Sequence, residues 1–325
     1  MEIGTRNQRE EEPRSERSVT FPSVSIIIPT TRPTQVQATL ATLVTQRYDG
    51  HIEIILVGTG VITLQQQWPV KVVNCEIPWE PGRARNTGAT LAQGTVLLFL
   101  DDDCLVAQDW VERNVRALAE PQVGIVGARI QGVSPRFFAQ CHDFTNFGAY
   151  QPPVTRETAV ASASMGIKRI LFEQIGGFDA EMRSGEDIEL CARVQQAGYR
   201  TLYQPAIIVR HHHGRQSLRH FLHYNYQHGR WRGLHPNSML SRIHWQQVWL
   251  AHLHTPIFYL GCVPVFALLA TAHLVLLNVR STPRVLLYVP FMLLGKLAYQ
   301  IGIFVHLVRE GKRYRAPQHK CVIVE

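Results

Sequence analysis

Four short and almost uninterrupted apolar runs constrain this chain more than any other feature: "VSIIIPT" (24–30), "IEIILVG" (52–58), "VKVVNC" (70–75) and "TVLLFL" (95–100). Segments of helical character lie between them, "PTQVQATLATLVTQ" (33–46) and a stretch near 82–93. Strands without polar alternation are buried on both faces, and intervening helices supply the cover, so the pattern predicts an α/β fold built on a parallel sheet. Ligands of such open sheets sit beyond the carboxyl ends of the strands. Pro29-Thr30, Gly58-Thr59-Gly60 and Asp101-Asp102-Asp103 should therefore share one rim.

The last run passes straight into those three acids, "LFLDDDC". Adjacent carboxylates repel one another unless water, a cation or hydrogen-bond donors compensate. A divalent ion with oxygen ligands would do so, and a solvated acidic turn would serve as well. The triplet by itself leaves both open.

Downstream, the pattern predicts a helix over 107–120, a strand over 123–130 and an irregular stretch over 131–160. A second acidic group, Glu186, Asp187 and Glu189, opens a helix predicted over 186–197, where acids also simply favour the helix dipole. The next strand ends in "VRHHHG" (209–214), and strand alternation puts His211 and His213 on one face and His212 on the other. In "YNYQHGRW", Gln227, Arg230 and Trp231 fall at i, i+3 and i+4, one face of a helix. The basic start of "GRARNTG" (82–88) would suit phosphate groups.

Charge divides the chain. Residues 1–200 hold 19 Lys/Arg against 23 Asp/Glu, whereas residues 201–325 hold 14 against 2 and 13 of the 15 histidines. Two apolar segments, 256–277 and 285–308, lie in that basic part, each long enough to span about 30 Å of hydrocarbon. A membrane surface is thus the expected partner, and no nucleic acid, for which no motif is present. We expect a membrane hairpin, with interfacial or core helices as the alternative. His273, Pro264, Pro290 and Lys296 weaken the spanning reading, since a mid-bilayer lysine costs roughly 2.5–3.5 kcal/mol; Lys296 is expected to snorkel or to sit on a shallow helix. The basic flanks predict a cytoplasmic catalytic part, although Arg280 and Arg284 on the connecting loop oppose it. Six scattered cysteines without a CxxC pair read as reduced thiols. Residues 1–22, charged and without period, read as a disordered arm.

Taken in order, "VSIIIPT", "PGRARNTGATLAQGTVLLFLDDDC", "GGFDAEMRSGEDIELCARVQQAGYR" and "QHGRW" resemble a family 2 glycosyltransferase over roughly residues 23–233. The resemblance implies the GT-A fold, a Rossmann-like doubly wound mixed sheet, followed here by C-terminal hydrophobic helices in 234–325. It implies inverting transfer of a sugar from a nucleotide-sugar donor. Asp101 and Asp103 match the family's DXD pair, which contacts the donor ribose and a Mg²⁺ or Mn²⁺ ion, with Asp102 beside them; His211 would complete the metal site. Asp187 matches the catalytic base, and Glu186 is the fallback. Pro29, Thr30, Thr59, Arg85 and Asn86 would line the donor. Gln227, Arg230 and Trp231 match the QxxRW pattern of membrane-embedded polysaccharide synthases, where the Arg meets the diphosphate and the Trp edges the acceptor site.

The chain departs from the family at one place. Where an acid usually reads the donor base, it has Val57-Gly58-Thr59-Gly60, leaving Thr59 or Glu76 as substitutes. Only two apolar segments are present, which favours transfer of single sugars over processive synthesis. The expected enzyme is membrane-associated, acts at the inner face of the plasma membrane, and glycosylates a lipid-linked glycan or polyprenyl acceptor for surface polysaccharide or glycolipid synthesis. The competing expectation is a catalytically weak GT-A domain that binds sugars or scaffolds an assembly.

Overall fold

The computed structural model describes residues 21–232, 256–309 and 321–324. The arm expected to be disordered lies outside the described residues except for Phe21 and Pro22, which pack on Tyr48. Residues 233–255 and the basic tail over 310–320 also lie outside them.

The four apolar runs form β1 (Val24–Thr30), β2 (Ile52–Gly58), β3 (Lys71–Cys75) and β4 (Val96–Leu100). They pair in parallel in the order β3-β2-β1-β4. Helices α1 (Val36–Leu43) and α2 (Pro81–Leu91) lie in the connections. Ile26, Ile27 and Ile28 are all fully buried, so successive side chains on both faces of β1 are covered. That explains the absence of alternation in the sequence.

Beyond β4 the sheet is mixed rather than parallel. The chain continues through β5 (Cys104–Val106), α3 (Trp110–Leu118), β6 (Val123–Gly132), α4 (Phe137–Phe147), the two-residue β7 (Arg156–Glu157), β8 (Ser164–Lys168), α5 (Arg169–Ile175), α6 (Glu186–Gln196) and β9 (Arg200–His211). β8 runs antiparallel between β4 and β6, and β9 lies parallel to β6 with β5 antiparallel at its outer side. The irregular stretch over 131–160 conceals α4. Its period is masked because Ala139 and the five consecutive residues Cys141 to Thr145 are buried, including His142 and Asp143.

Helix α7 (Leu218–Arg232) follows, then the apolar hairpin of α8 (Pro256–Asn278) and α9 (Val289–Arg309). Both hairpin segments are long and apolar enough to cross a membrane, by length and composition. α7 and α9 cross closely at glycines: a Cβ on Gly229 would lie 2.0 Å from the Tyr299 carbonyl oxygen, and one on Gly302 would lie 2.1 Å from that of Tyr226. Small residues allow this approach of backbones. Lys296 Nζ donates to the Thr145 carbonyl of α4 at 2.6 Å. The final strand, β10 (Cys321–Val324), pairs antiparallel with β3 at the edge of the sheet.

Candidate active site

All five residues of β4 are buried, so the acids that follow emerge only at its carboxyl end. There the three carboxylates part. Asp101 accepts from the Arg85 guanidinium at 2.7 Å and is the most exposed of them. Asp102 is buried, and accepts from the Thr30 hydroxyl at 2.5 Å and from Arg32 Nε at 3.2 Å. Asp103, also buried, lies 3.2 Å from His211 Nε2 and 3.1 Å from the Arg32 guanidinium.

Strand pairing creates the contact with His211. β5 and β9 set Cys104 opposite His211, and the His212 N–H donates to the Asp103 carbonyl at 2.7 Å. Burial alone would raise the Asp103 carboxyl, but the hydrogen bonds and charges of His211 and Arg32 outweigh it and hold the group down at about 2. Asp102 shifts the other way, because burial outweighs Arg32 and Thr30.

The second acidic pair is aimed by a glycine. Gly185 caps α6 with φ of 84°, a left-handed conformation that favours Gly, and Glu186 and Asp187 follow in the first turn. Glu186 is buried 2.8 Å from Arg85. Burial first, and then the Asp187 charge, raise its carboxyl to about 7 against the pull of Arg85. Asp187 accepts from the Ser162 N–H at 3.2 Å and the Ile188 N–H at 2.8 Å, and it lines the cavity while only partly buried. Glu189 turns away to Arg193.

Arg85 is thus a buried strut between Asp101 and Glu186 at the wall of the active-site cavity. Asn86 is likewise committed: its amide donates to the Phe178 carbonyl at 2.7 Å and accepts from the Phe178 N–H at 2.9 Å. Arg85 therefore fastens α2 to the start of α6, and Asn86 fastens it to the loop before that helix.

These groups border a cavity of about 440 Å³. Among the residues singled out from sequence, Pro29, Thr30, Arg85, Asp101, Asp102, Glu186, Asp187 and Trp231 line it. Thr59, Asn86, Asp103, His211, Gln227 and Arg230 stand outside that lining. Sequence reasoning missed Arg32, Arg215, Tyr224 and His228, which also line it. Tyr224, His228 and Trp231 fall at i, i+4 and i+7 on α7, a helical spacing that was available to find them. Arg215 lies over the Tyr224 ring, 4.0 Å from its centroid.

Gly58 accounts for part of the "VGTG" departure. It pairs with Thr30 across β1 and β2, and a Cβ there would lie 1.6 Å from the Thr30 carbonyl oxygen. Any side chain at this position would push the two strand ends apart.

Ligand atoms of Asp103, Cys104 and His211 lie within 4.8 Å of one another. Burial and the three neighbouring acids push the Cys104 thiol well up, and soft sulfur suits Mg²⁺ or Mn²⁺ less well than oxygen and imidazole do. An ionised carboxylate and an imidazole whose Nδ1 has no partner among the described residues fit a divalent ion of the Mg²⁺ or Mn²⁺ type. Asp101, held by Arg85, is not part of that group. Asp143, His211 and His213 form a second group of similar size. There His213 Nδ1 accepts from the Arg215 N–H at 3.2 Å, which leaves the Nε2 proton to Asp143 at 3.1 Å, a satisfied hydrogen-bonded pair.

Residues 25–159 match the family described as glycosyl transferase family 2, and residues 96–303, well over half the chain, match glycosyl transferase family group 2. This chain is a family 2 glycosyltransferase. The transferase is 33% identical over 144 residues to the pre-mycofactocin glycosyltransferase of Mycobacterium tuberculosis (strain H37Rv), a match covering 42% of this chain and 31% of that relative. It therefore spans about a third of that relative's length. It is 26% identical over 205 residues to the glycosyltransferase AglE of Haloferax volcanii, covering 59% of this chain and 67% of AglE. In fold the transferase resembles the mannosyltransferase PcManGT from Pyrobaculum calidifontis, solved in complex with GDP-Man and Mn²⁺, with a TM-score of 0.54 and 19% identity over 90% of this chain and 91% of that one. The expected GT-A sheet is borne out by that likeness.

Proposed function

We propose that this glycosyltransferase moves one sugar, with inversion, from a nucleotide-sugar donor to a lipid-linked glycan or polyprenyl-type acceptor at the cytoplasmic face of a membrane. The observation that carries the reading is the division of labour between two neighbouring acids. Glu186 is buried and occupied by Arg85, whereas Asp187 faces the cavity with both oxygens held only by backbone N–H groups. Asp187 is therefore the group that can take the proton of an acceptor hydroxyl.

Asp103 and His211 would hold Mg²⁺ or Mn²⁺, which when bound offsets the charge growing on the departing diphosphate. Pro29, Thr30, Asp101 and Asp102 form the donor rim of the cavity, with Asp102 fastened by Thr30 and Arg32. The Gly58-Thr59-Gly60 run offers no carboxylate to a base N–H, and the cationic Arg32 stands at the same rim. A base other than uracil suits that arrangement. On α7, Trp231 borders the cavity, 44% exposed, and offers a flat face on which an acceptor sugar stacks, while the Tyr224 ring is covered by Arg215 and stacks with His228. Gln227 and Arg230 on the same helix would serve the diphosphate side. The apolar hairpin and the basic balance of residues 201–325 support an acceptor delivered at a membrane.

The test is release of nucleoside diphosphate from a panel of UDP-, GDP- and dTDP-sugars with Mn²⁺ and a membrane extract as acceptor source. Asp187→Asn should lower transfer at least 100-fold while leaving nucleotide binding within a few-fold, on the order expected for loss of a general base. Tight nucleotide binding without turnover on any donor would instead favour a sugar-binding or scaffolding domain.

A further inference from the structure

We infer that the α8–α9 hairpin lies along the flank of the catalytic domain and enters a single lipid leaflet by its outer face, without crossing the bilayer. This rests on the proposed membrane association and narrows it. A crossing hairpin would carry its turn through about 30 Å of hydrocarbon to the far side. Here the turn end is fastened to the catalytic domain. Asn278 Nδ2 donates to the Gly148 carbonyl at 2.9 Å, the Tyr288 ring stacks on Phe144 at 5.4 Å, and Phe291 packs edge-on against Phe137 and Phe138 at 5.2 and 5.4 Å.

The contact continues along α9. Lys296 reaches the Thr145 carbonyl, Gly295 admits the Phe221 ring, and Gly302 admits the α7 backbone at Tyr226. From turn to Gly302 the inner face of the hairpin is covered by protein and carries polar partners that hydrocarbon would not tolerate unpaired. Its outer face is open and apolar. Ile257, Leu269, Leu276 and Leu287 are 88%, 62%, 73% and 67% exposed, and no Asp, Glu, Lys or Arg occurs from Pro256 to Asn278. A helix of that length laid flat offers roughly 33 Å of apolar edge.

Charge identifies the occupant as an anionic lipid surface. Arg280 and Arg284 are exposed at the hairpin turn, and residues 201–325 carry 14 Lys/Arg against 2 Asp/Glu. The lying geometry also removes the conflict those two arginines posed for a crossing hairpin, because the turn stays on the side of the active site.

The test uses full-length Ser281→Cys in a Cys262→Ser, Cys321→Ser background; Cys75, Cys104, Cys141 and Cys191 are buried. Membrane vesicles with the catalytic domain outward are treated with a membrane-impermeant maleimide. Labelling of the introduced thiol without detergent is the expected result, and protection until detergent is added overturns the lying geometry while leaving the membrane association intact. Separately, purified protein is floated with phosphatidylcholine vesicles containing phosphatidylglycerol. Binding that falls at least tenfold in Leu269→Asp/Leu276→Asp, with nucleotide binding unchanged, is expected. Absence of flotation by the unsubstituted protein would overturn both this inference and the membrane association.

Discussion

The Arg85 guanidinium and the Glu186 carboxylate meet at 2.8 Å with both side chains almost wholly buried, and the same guanidinium holds Asp101. One cation thereby ties the end of β4 to the start of α6, the two elements that present the acids of the cavity. Breaking a buried pair from one side leaves an uncompensated charge, which costs about 3–5 kcal/mol. Arg85→Met should lower stability by that order in urea unfolding. Arg85→Met combined with Glu186→Gln should recover much of the loss, because no charge is then stranded.

The raised Glu186 carboxyl gives stability a definite pH dependence. Its folded value of about 7 lies above the ordinary 4.5, so the folded state binds the proton more tightly. This contribution is fully present below 4.5 and is lost as pH rises through about 7. Asp103, held down at about 2 from 3.8, has the opposite sign: its contribution is present above 3.8 and lost as pH falls through 2. Glu186→Gln should flatten the first slope, and Asp103→Asn the second, in unfolding curves recorded across pH without metal.

Metal affinity should separate the neighbouring ligand candidates. Asp103→Asn and His211→Ala should each weaken Mn²⁺ binding at least tenfold in titration followed by electron paramagnetic resonance. Cys104→Ser should change it less than threefold, since soft sulfur is a poor match for Mn²⁺ beside a carboxylate and an imidazole. Equal losses in all three variants would mean that the thiol also ligates.

The close crossing of α7 and α9 sets where Trp231 stands in the cavity. A Cβ on Gly302 would lie 2.1 Å from the Tyr226 carbonyl oxygen, so Gly302→Val must push α7 aside. The acceptor KM should rise several-fold while donor hydrolysis in the absence of acceptor stays near its original rate. A matching loss in both would place the effect on the fold as a whole.

Features of local origin were legible in the amino-acid sequence. Continuous apolar runs specify strands covered on both faces, and their carboxyl ends locate the rim where Thr30, Gly58 and Asp101 gather. Strand alternation also sufficed to put His211 and His213 inward and His212 outward. The apolar content of 256–277 and 285–308 foretold the two long helices. Pairing across distant strands lay beyond such reasoning. Asp103 meets His211 because β5 and β9 are antiparallel with Cys104 opposite His211, a register set by the packing of the whole sheet. The same holds for Arg85, which joins Asp101 and Glu186 because the fold brings the end of β4 and the start of α6 together. Helix α4 was hidden because burial on nearly every side erases the period that marks an amphipathic helix. Composition reports how apolar the hairpin is, but only tertiary contacts such as Asn278 with Gly148 decide which of its faces is left for lipid.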